Sequence, residues 1–336
     1  MERVRVGVIG CGFFGGMHIE VLRDLSRVEL VAVSDEREAA LAPYAADGIH
    51  TTTDYRRLLD LDIDAVHICV PDARHTDVLK ASVAADKHIL VEKPLTDHAD
   101  SAREVYDLCR TYARTVMVGH ILRFNRNSAK AFETISGGEI GNIVYVSSRR
   151  VSPVTGGQKY GRDSNLAIHS CVHDIDLARW LVADDIASVF AKTRHKRLAS
   201  LGVPAGDVAL AIHEFRNGVV FSQENAWVLS PSYPVYVDGR MDVIGDSGSV
   251  HIDFFSHGLK VYRGNEMEHP DMQHWPQVFG RRDGDLREEI RHFIEVVVDG
   301  VEPRVSCRDG YAAVLAADAM QESMATGKEV EIETID

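Results

Sequence analysis

The chain has 336 residues, 45% of them hydrophobic and 26% charged, an ordinary globular composition with room for two domains that each bury a core. Its 37 Lys and Arg against 51 Asp and Glu leave a formal net charge of −14, which argues against nucleic acid or an anionic membrane as partner. No stretch approaches the roughly 18 apolar residues of a membrane span, and the opening lacks the basic and apolar regions of a secretory signal. Five scattered cysteines (Cys11, Cys69, Cys109, Cys171, Cys307) form no CxxC pair. Reduced thiols and a cytoplasmic location are therefore expected.

The first 120 residues alternate short apolar runs with helical patterns. "VRVGVIG" reads as a strand, followed by a helix from Gly15 to about Leu25; "VELVAVSD" is a second strand ending on Asp35. "AVHICVP" is a third, "HTDVLKASVAAD" a helix, "KHILVEKP" a fourth strand, then a helix near Asp97–Tyr112 and "TVMVG". Strands this apolar, separated by helices, predict a parallel sheet covered on both faces, wound with right-handed crossovers. After Arg123 the rhythm changes to one helix ("NSAKAFETI"), the run "GNIVYVSSRRV", a helix near His169–Leu181, and long strands. Asn217-Gly218 and Asp246-Ser247-Gly248 sit between β runs as hairpin turns. Two helical patterns, near Asp285–Asp299 and Arg308–Thr326, close the chain. The expectation is an α/β protein: a Rossmann-type doubly wound parallel sheet over residues 1–121, then an α+β domain with a large, mostly antiparallel open sheet over 122–336.

Gly10-x-Gly12-x-x-Gly15 follows the first strand and opens a helix. Alone it is as well a plain strand-to-helix turn as a phosphate cradle. Asp35 ends the second strand twenty residues beyond Gly15, where a carboxylate accepts hydrogen bonds from an adenosine ribose. Together they predict dinucleotide binding, with the phosphates at the helix N-terminus. The residues expected to face the cofactor are Gly10, Gly12, Phe13, Phe14, Gly15, Asp35 and Glu36, and at later strand ends Val70, Pro71, His75, Glu92 and Lys93. Asp35 would repel the 2′-phosphate of NADP, so NAD is preferred; Arg37 reads as a solvated charge at a helix start.

Chemistry in a doubly wound sheet occurs beyond the C-terminal strand ends, which here carry "VPDARH" and "VEKPL". Glu92-Lys93-Pro94 could equally be a surface turn. However, "GVIGCGFFGGMH", "VHICVPDARH", "KHILVEKPLTD", "HDIDLARWL" and the closing segment from "LREEIRHFIEVVVDG" onward resemble, in order, the successive motifs of the glucose–fructose oxidoreductase/inositol dehydrogenase (Gfo/Idh/MocA) family. The resemblance implies NAD(P)-dependent oxidation or reduction at a carbinol carbon of a sugar, cyclitol or sugar derivative, with the second domain supplying the substrate pocket. It places the catalytic lysine on Lys93 and the catalytic histidine on His173. Those roles suit the chemistry: the hydroxyl proton needs a base within reach, and imidazole titrates near neutrality. A buried lysine beside an oxidised nicotinamide is lowered from its usual value of about 10.4, so Lys93 would hold the carbinol oxygen or relay its proton. A satisfied core histidine is the alternative for His173.

Four residues before the histidine, inositol dehydrogenase-like members carry an aspartate, and this chain has His169. An imidazole cannot stabilise an imidazolium as a carboxylate does, so His169 is expected to bind a substrate hydroxyl or anionic group, or to stack on the sugar. His169 and His173, with Asp174 and Asp176 nearby, also invite a zinc reading, but no HExxH glutamate or third ligand is evident and no metal is expected. Arg123, Lys159, Tyr160, Arg162 and Asn165 complete the expected substrate set, on "RFNRN" and the loop "TGGQKYGRDSN", which also carries Asp163; a solvated loop would look the same. Arg123, Lys159 and Arg162 would suit a phosphate or carboxylate.

Two other functions fit the scaffold: an enzyme using NAD transiently for elimination or epimerisation, and a non-catalytic NAD-bound regulator, which would be expected to lack Lys93 or His173. Finally, strands such as "NIVYVSS" and "VALAIHEF" have too few helices, near residues 127–135, 169–181 and 285–299, to cover both sheet faces. The exposed face predicts a homodimer or homotetramer assembled through the C-terminal sheet, an arrangement that the resemblance also implies.

Overall fold

The computed structural model describes residues 3–256, 258–264 and 266–336. The chain divides into two compact units, one running to Ile121 and resuming over His274–Tyr311, the other made of Leu122–Gln273 and Ala312–Asp336. The first opens with β1 (Val4–Ile9), α1 (Phe13–Asp24), β2 (Val28–Ser34), α2 (Glu38–Ala46), β3 (His50–Thr52) and α3 (Tyr55–Leu59). It continues through β4 (Ala65–Ile68), α4 (His75–Ala84), β5 (His88–Glu92), α5 (Ala99–Cys109) and β6 (Val116–Gly119). The strands form one parallel sheet in the order β3-β2-β1-β4-β5-β6. Val6, Val8, Val66, Ile68, Leu90 and Val91 are buried, as expected of strands sandwiched between helical layers. The order reverses between β1 and β4, which makes the C-terminal ends of these two strands the switch point. Residues 36–64 show no predicted elements in the sequence because β3 is only three residues long and α2 contains Pro43, so neither carries a clear periodicity.

The second unit contains α6 (Arg126–Ser136), β7 (Ile143–Pro153), α7 (Val154–Tyr160), α8 (Val172–Val182), β8 (Ile186–Arg194) and α9 (Arg197–Ser200). There follow β9 (Val208–Phe215), β10 (Val220–Leu229), β11 (Asp238–Gly245), β12 (Ser249–Asp253), β13 (Val261–Arg263) and β14 (Glu266–Glu268). Seven strands, closed by β17 (Val330–Glu331), pair in the order β12-β11-β7-β10-β9-β8-β17. All neighbours are antiparallel except β7 with β10. Gly218, at φ +85°, makes the β9–β10 turn, the left-handed conformation an Asn-Gly hairpin requires. Along β9, Ala209, Ala211, His213 and Phe215 are buried while Leu210 and Ile212 are exposed. One face of this sheet is therefore core, and the other presents Tyr145, Phe190, Leu210, Ile212 and Val220.

Two expectations change here. Thr155–Tyr160 lies in α7 rather than in a loop. The helix bearing His169 and His173 opens with a π-turn, Ala167–Cys171, before α8 begins.

The chain then returns to the first unit through β15 (Gln277–Val278), β16 (Arg281–Arg282) and α10 (Asp285–Asp299). Sequence order had put residues 274–311 in the second domain. They group with the first because Leu286, Ile290, Phe293 and Val296 form a buried stripe on α10, which packs on α1 and β1. α11 (Cys307–Thr326) starts in the first unit and ends in the second.

Candidate functional site

The three glycines of the first turn are required for different reasons. Gly10 has φ +94°, and a Cβ there would lie 2.5 Å from the Cys69 carbonyl oxygen; one on Gly15 would lie 1.8 Å from the Gly10 oxygen. Both are demanded by the packing of the turn itself. A Cβ on Gly12 would meet nothing within 4 Å. The fold does not require Gly12, and open ground there lets a ligand approach the backbone. Gly12 is also the N-cap of the 12-residue α1 and supplies no side-chain cap, so the helix start keeps donors and positive dipole for an anion.

Asp35 follows β2 with its carboxylate oriented by backbone and side chain. Oδ2 accepts from the Cys11 amide at 2.9 Å and Oδ1 from the Arg37 amide at 3.0 Å. The Arg37 guanidinium also pairs with it, Nε at 3.0 Å and Nη2 at 3.1 Å. Burial opposes the Asp35 charge, but hydrogen bonds from Arg37 and Cys11 outweigh it and hold the carboxyl below its usual range. Arg37, at the N-cap of α2 and 68% exposed, is the solvated helix-start charge expected, and it is also the ion-pair partner of Asp35. The Cys11 thiol is pushed up to about 12, by burial and then by Asp35, and stays protonated.

Other expected cofactor residues divide. Phe13 is exposed, and Phe14 meets Trp275 edge-on at 5.5 Å. Glu36 is exposed and paired with Arg74. Val70 is half-buried and Pro71 exposed after β4. His75 is wholly buried, its Nδ1 2.7 Å from the Pro94 oxygen and its Nε2 2.9 Å from the Val70 oxygen. It braces the loop after β4 against the loop after β5 rather than facing a ligand. Lys93 leaves the end of β5 half-buried, with the Lys93–Pro94 bond cis. Glu92 accepts from His18 Nε2 at 3.0 Å, and His18 Nδ1 lies 2.9 Å from His67 Nδ1. Burial, then His18, holds His67 well below the usual imidazole range.

In the second unit, His173 is half-buried in the first turn of α8. His169, on the π-turn, stacks on Tyr160 with ring centres 4.1 Å apart and lies 5.8 Å from Trp227. Lys159 Nζ sits 4.7 Å from the centre of the Tyr160 ring, and the Tyr236 hydroxyl is hydrogen-bonded to Tyr160. The fold therefore brings Lys159, Tyr160 and His169 together. Arg162 is exposed, and Asn165 Oδ1 accepts from the Ile168 amide at 3.0 Å, bracing the entry to the π-turn. Arg123 is a correction: its guanidinium is 4% exposed and grips Asp176 at 2.9 and 2.5 Å, so its charge is spent inside the fold. Asp174 is similarly held by Arg150 at 3.0 Å and by Asn225 Nδ2 at 3.1 Å. Both acids beside the His169/His173 pair are thus engaged by arginines.

Sequence reasoning missed His18, His67, Trp227, Tyr236, Trp275 and Glu289. Only Glu289 left a signal. It lies in the buried stripe of α10, between Leu286 and Phe293, where a charged residue is out of place.

The chain matches two profiles of the Gfo/Idh/MocA oxidoreductase family: the NAD-binding Rossmann fold over residues 4–120 and the C-terminal alpha/beta domain over 133–332. It is 30% identical to inositol 2-dehydrogenase 2 of Saccharopolyspora erythraea, over 98% of this chain and 96% of that one. It is 28% identical to myo-inositol 2-dehydrogenase of Thermotoga maritima, over 99% of each. Myo-inositol 2-dehydrogenase of Lactobacillus plantarum has the same fold, with a TM-score of 0.85 and 23% identity over 99% of this chain and 100% of that one.

Proposed function

The chain belongs to the Gfo/Idh/MocA oxidoreductase family, and from that premise we propose that it is an NAD-dependent dehydrogenase acting on a carbinol carbon of a sugar, cyclitol or sugar derivative. The observation that carries the reading is Gly12: a glycine that the packing does not need, at the uncapped start of α1, in the same unit as Asp35. The residues present fit a dinucleotide. The α1 N-terminus would hold the pyrophosphate, Asp35 the adenosine ribose, and Val70, Pro71 and Lys93 the nicotinamide end. Bound NAD would supply the hydride acceptor.

Lys93 holds the substrate hydroxyl oxygen and favours its alkoxide character, and His173 takes the proton as general base. His169 does not act as the carboxylate of a dyad. Its ring and that of Tyr160 instead offer a stacked aromatic surface for the C–H face of a ring substrate, while Lys159 and Arg162 suit its hydroxyls or an anionic substituent. NAD is preferred to NADP, because the Arg37 guanidinium is already paired with Asp35 and the carboxylate opposes a 2′-phosphate. The second unit's exposed sheet face, with a hollow of about 470 Å³ lined by Phe190, Leu210, Ile212 and neighbouring polar residues, is the surface through which the chain forms a homodimer or homotetramer.

The test is a panel of cyclitols, sugars, glycosides and sugar acids with NAD or NADP, followed by absorbance of the reduced nicotinamide. Turnover of at least one polyol with NAD is expected; no reduction with any of them overturns the reading.

A further inference from the structure

Beneath the β5 end that carries Lys93 lies a buried set of titratable groups that the proposed mechanism does not use. Glu289 on α10 is wholly buried, and neither of its carboxyl oxygens has a hydrogen-bond partner among the described residues. One of these oxygens, a Glu92 oxygen and a His18 ring nitrogen all lie within 4.8 Å of one another. The groups facing this point are His18 from α1, His67 from β4, Cys69 just after it, Glu92 from β5 and Asp285 from the start of α10. Asp285 is itself paired with His274 at 2.8 Å.

A proton assignment follows from the partners. His67 Nε2 has no hydrogen-bond partner among the described residues, so the His67 ring proton is assigned to Nδ1, where it donates to His18 Nδ1 and leaves the His18 Nε2–H to donate to Glu92. That makes Glu92 the carboxylate of the set, and it is part-exposed at 12%. A second bare carboxylate on Glu289, fully buried beside the first, would be opposed by both desolvation and like-charge repulsion.

We propose that Glu289 is a neutral carboxylic acid that donates its proton toward Glu92, directly or through one water, and so acts as a positioning residue for the β5 end preceding Lys93. The functional half of this inference rests on the reading of Lys93 given above. Burial, then the Glu92 and Asp285 charges, push Glu289 well above the usual carboxylate range, in the same direction as the geometry. The consequence for stability has a definite sign. The folded chain binds this proton more tightly than the unfolded chain, so its contribution is complete below about pH 4.3 and is lost as pH rises toward the folded value.

The experiment compares the wild-type chain with Glu289→Gln and Glu289→Leu. Glutamine keeps a neutral donor toward Glu92, and leucine removes it. In difference infrared spectra at neutral pH, the carbonyl stretch of a protonated carboxylic acid is expected in the wild type and absent in Glu289→Gln. The Tm of Glu289→Gln should exceed that of the wild type at alkaline pH, with the margin shrinking as pH falls. In turnover, Glu289→Gln should stay close to the wild type. Glu289→Leu should lose about 10-fold to 100-fold in kcat, the size of a lost hydrogen bond to a charged group, with KM and NAD affinity held and the pH–rate profile displaced. A Glu289→Gln variant less stable than the wild type at neutral pH would overturn the proposal. So would a stoichiometric divalent cation found by elemental analysis in the wild type and lost in Glu289→Gln. The infrared and Tm arms decide the state of Glu289 even if no polyol is turned over, a result that would sink the assigned reaction instead. They do not depend on Glu289→Leu folding.

Discussion

The two large sheets differ in what covers them. In the six-stranded sheet of the first unit, every pair of neighbouring strands is parallel, and Val6, Val8, Val66 and Ile68 are buried. In the second, β9 alternates buried Ala211 and His213 with exposed Leu210 and Ile212, and Phe190 on β8 is exposed beside them. A sheet buried on both faces has only its strand ends left for chemistry, which is where Asp35, Val70 and Lys93 stand. A sheet with one bare face has apolar area left for association. The residues proposed to hold cofactor and substrate in the first sheet thus sit at the ends of its strands, and the second sheet presents a broad surface.

Lys93→Ala tests the strand-end half of this comparison most severely. Turnover should fall by about 10²-fold to 10⁴-fold, the range for lost general acid–base help, while NAD binding measured by calorimetry stays nearly intact. Unchanged turnover with the same polyol would remove Lys93 from the mechanism.

Ile212→Glu with Leu210→Glu tests the other half. Two carboxylates on the bare face should convert an assembly of two or four 37.2 kDa chains into a monomer by light scattering, with the first unit's NAD affinity preserved. A wild-type chain that is already a monomer would refute assembly through this sheet.

A smaller effect is expected from Asp35→Ser. Losing a charged acceptor for the ribose should weaken NAD by about 10-fold and narrow the preference over NADP. Tighter NADP than NAD binding in the wild type would contradict the role given to Asp35. Within the glycine turn, Gly12→Ala should lower Tm only slightly, because its Cβ meets nothing within 4 Å and only alanine's poorer N-cap preference opposes it, yet weaken NAD. Gly10→Ala should lower Tm through its positive φ and the contact with Cys69. Equal Tm losses for the two would mean that Gly12 is a packing glycine after all.

What is legible in the sequence is what is encoded over a few residues. The apolar runs of β1, β4 and β5, the Asn217-Gly218 turn and the Gly10-x-Gly12-x-x-Gly15 spacing each follow from local backbone preference and side-chain period. The roles of charged residues are less legible. Arg123 looks like a substrate contact in "RFNRN", yet Asp176, 53 positions later, takes its charge. His75 looks like a ligand at a strand end until the carbonyls of Val70 and Pro94 close around it.

The sequence by itself determined the types of the long, strongly periodic elements, the division of labour between a parallel and a mostly antiparallel sheet, and the family motifs on Lys93 and His173. Tertiary structure alone decided that residues 274–311 join the first unit, that a π-turn carries His169, and that Glu289 faces Glu92 across 197 positions of chain. The physical reason is range. Dihedral preference and hydrophobic period act over one or two turns of chain, whereas a buried charge is settled by whichever distant groups the fold packs around it.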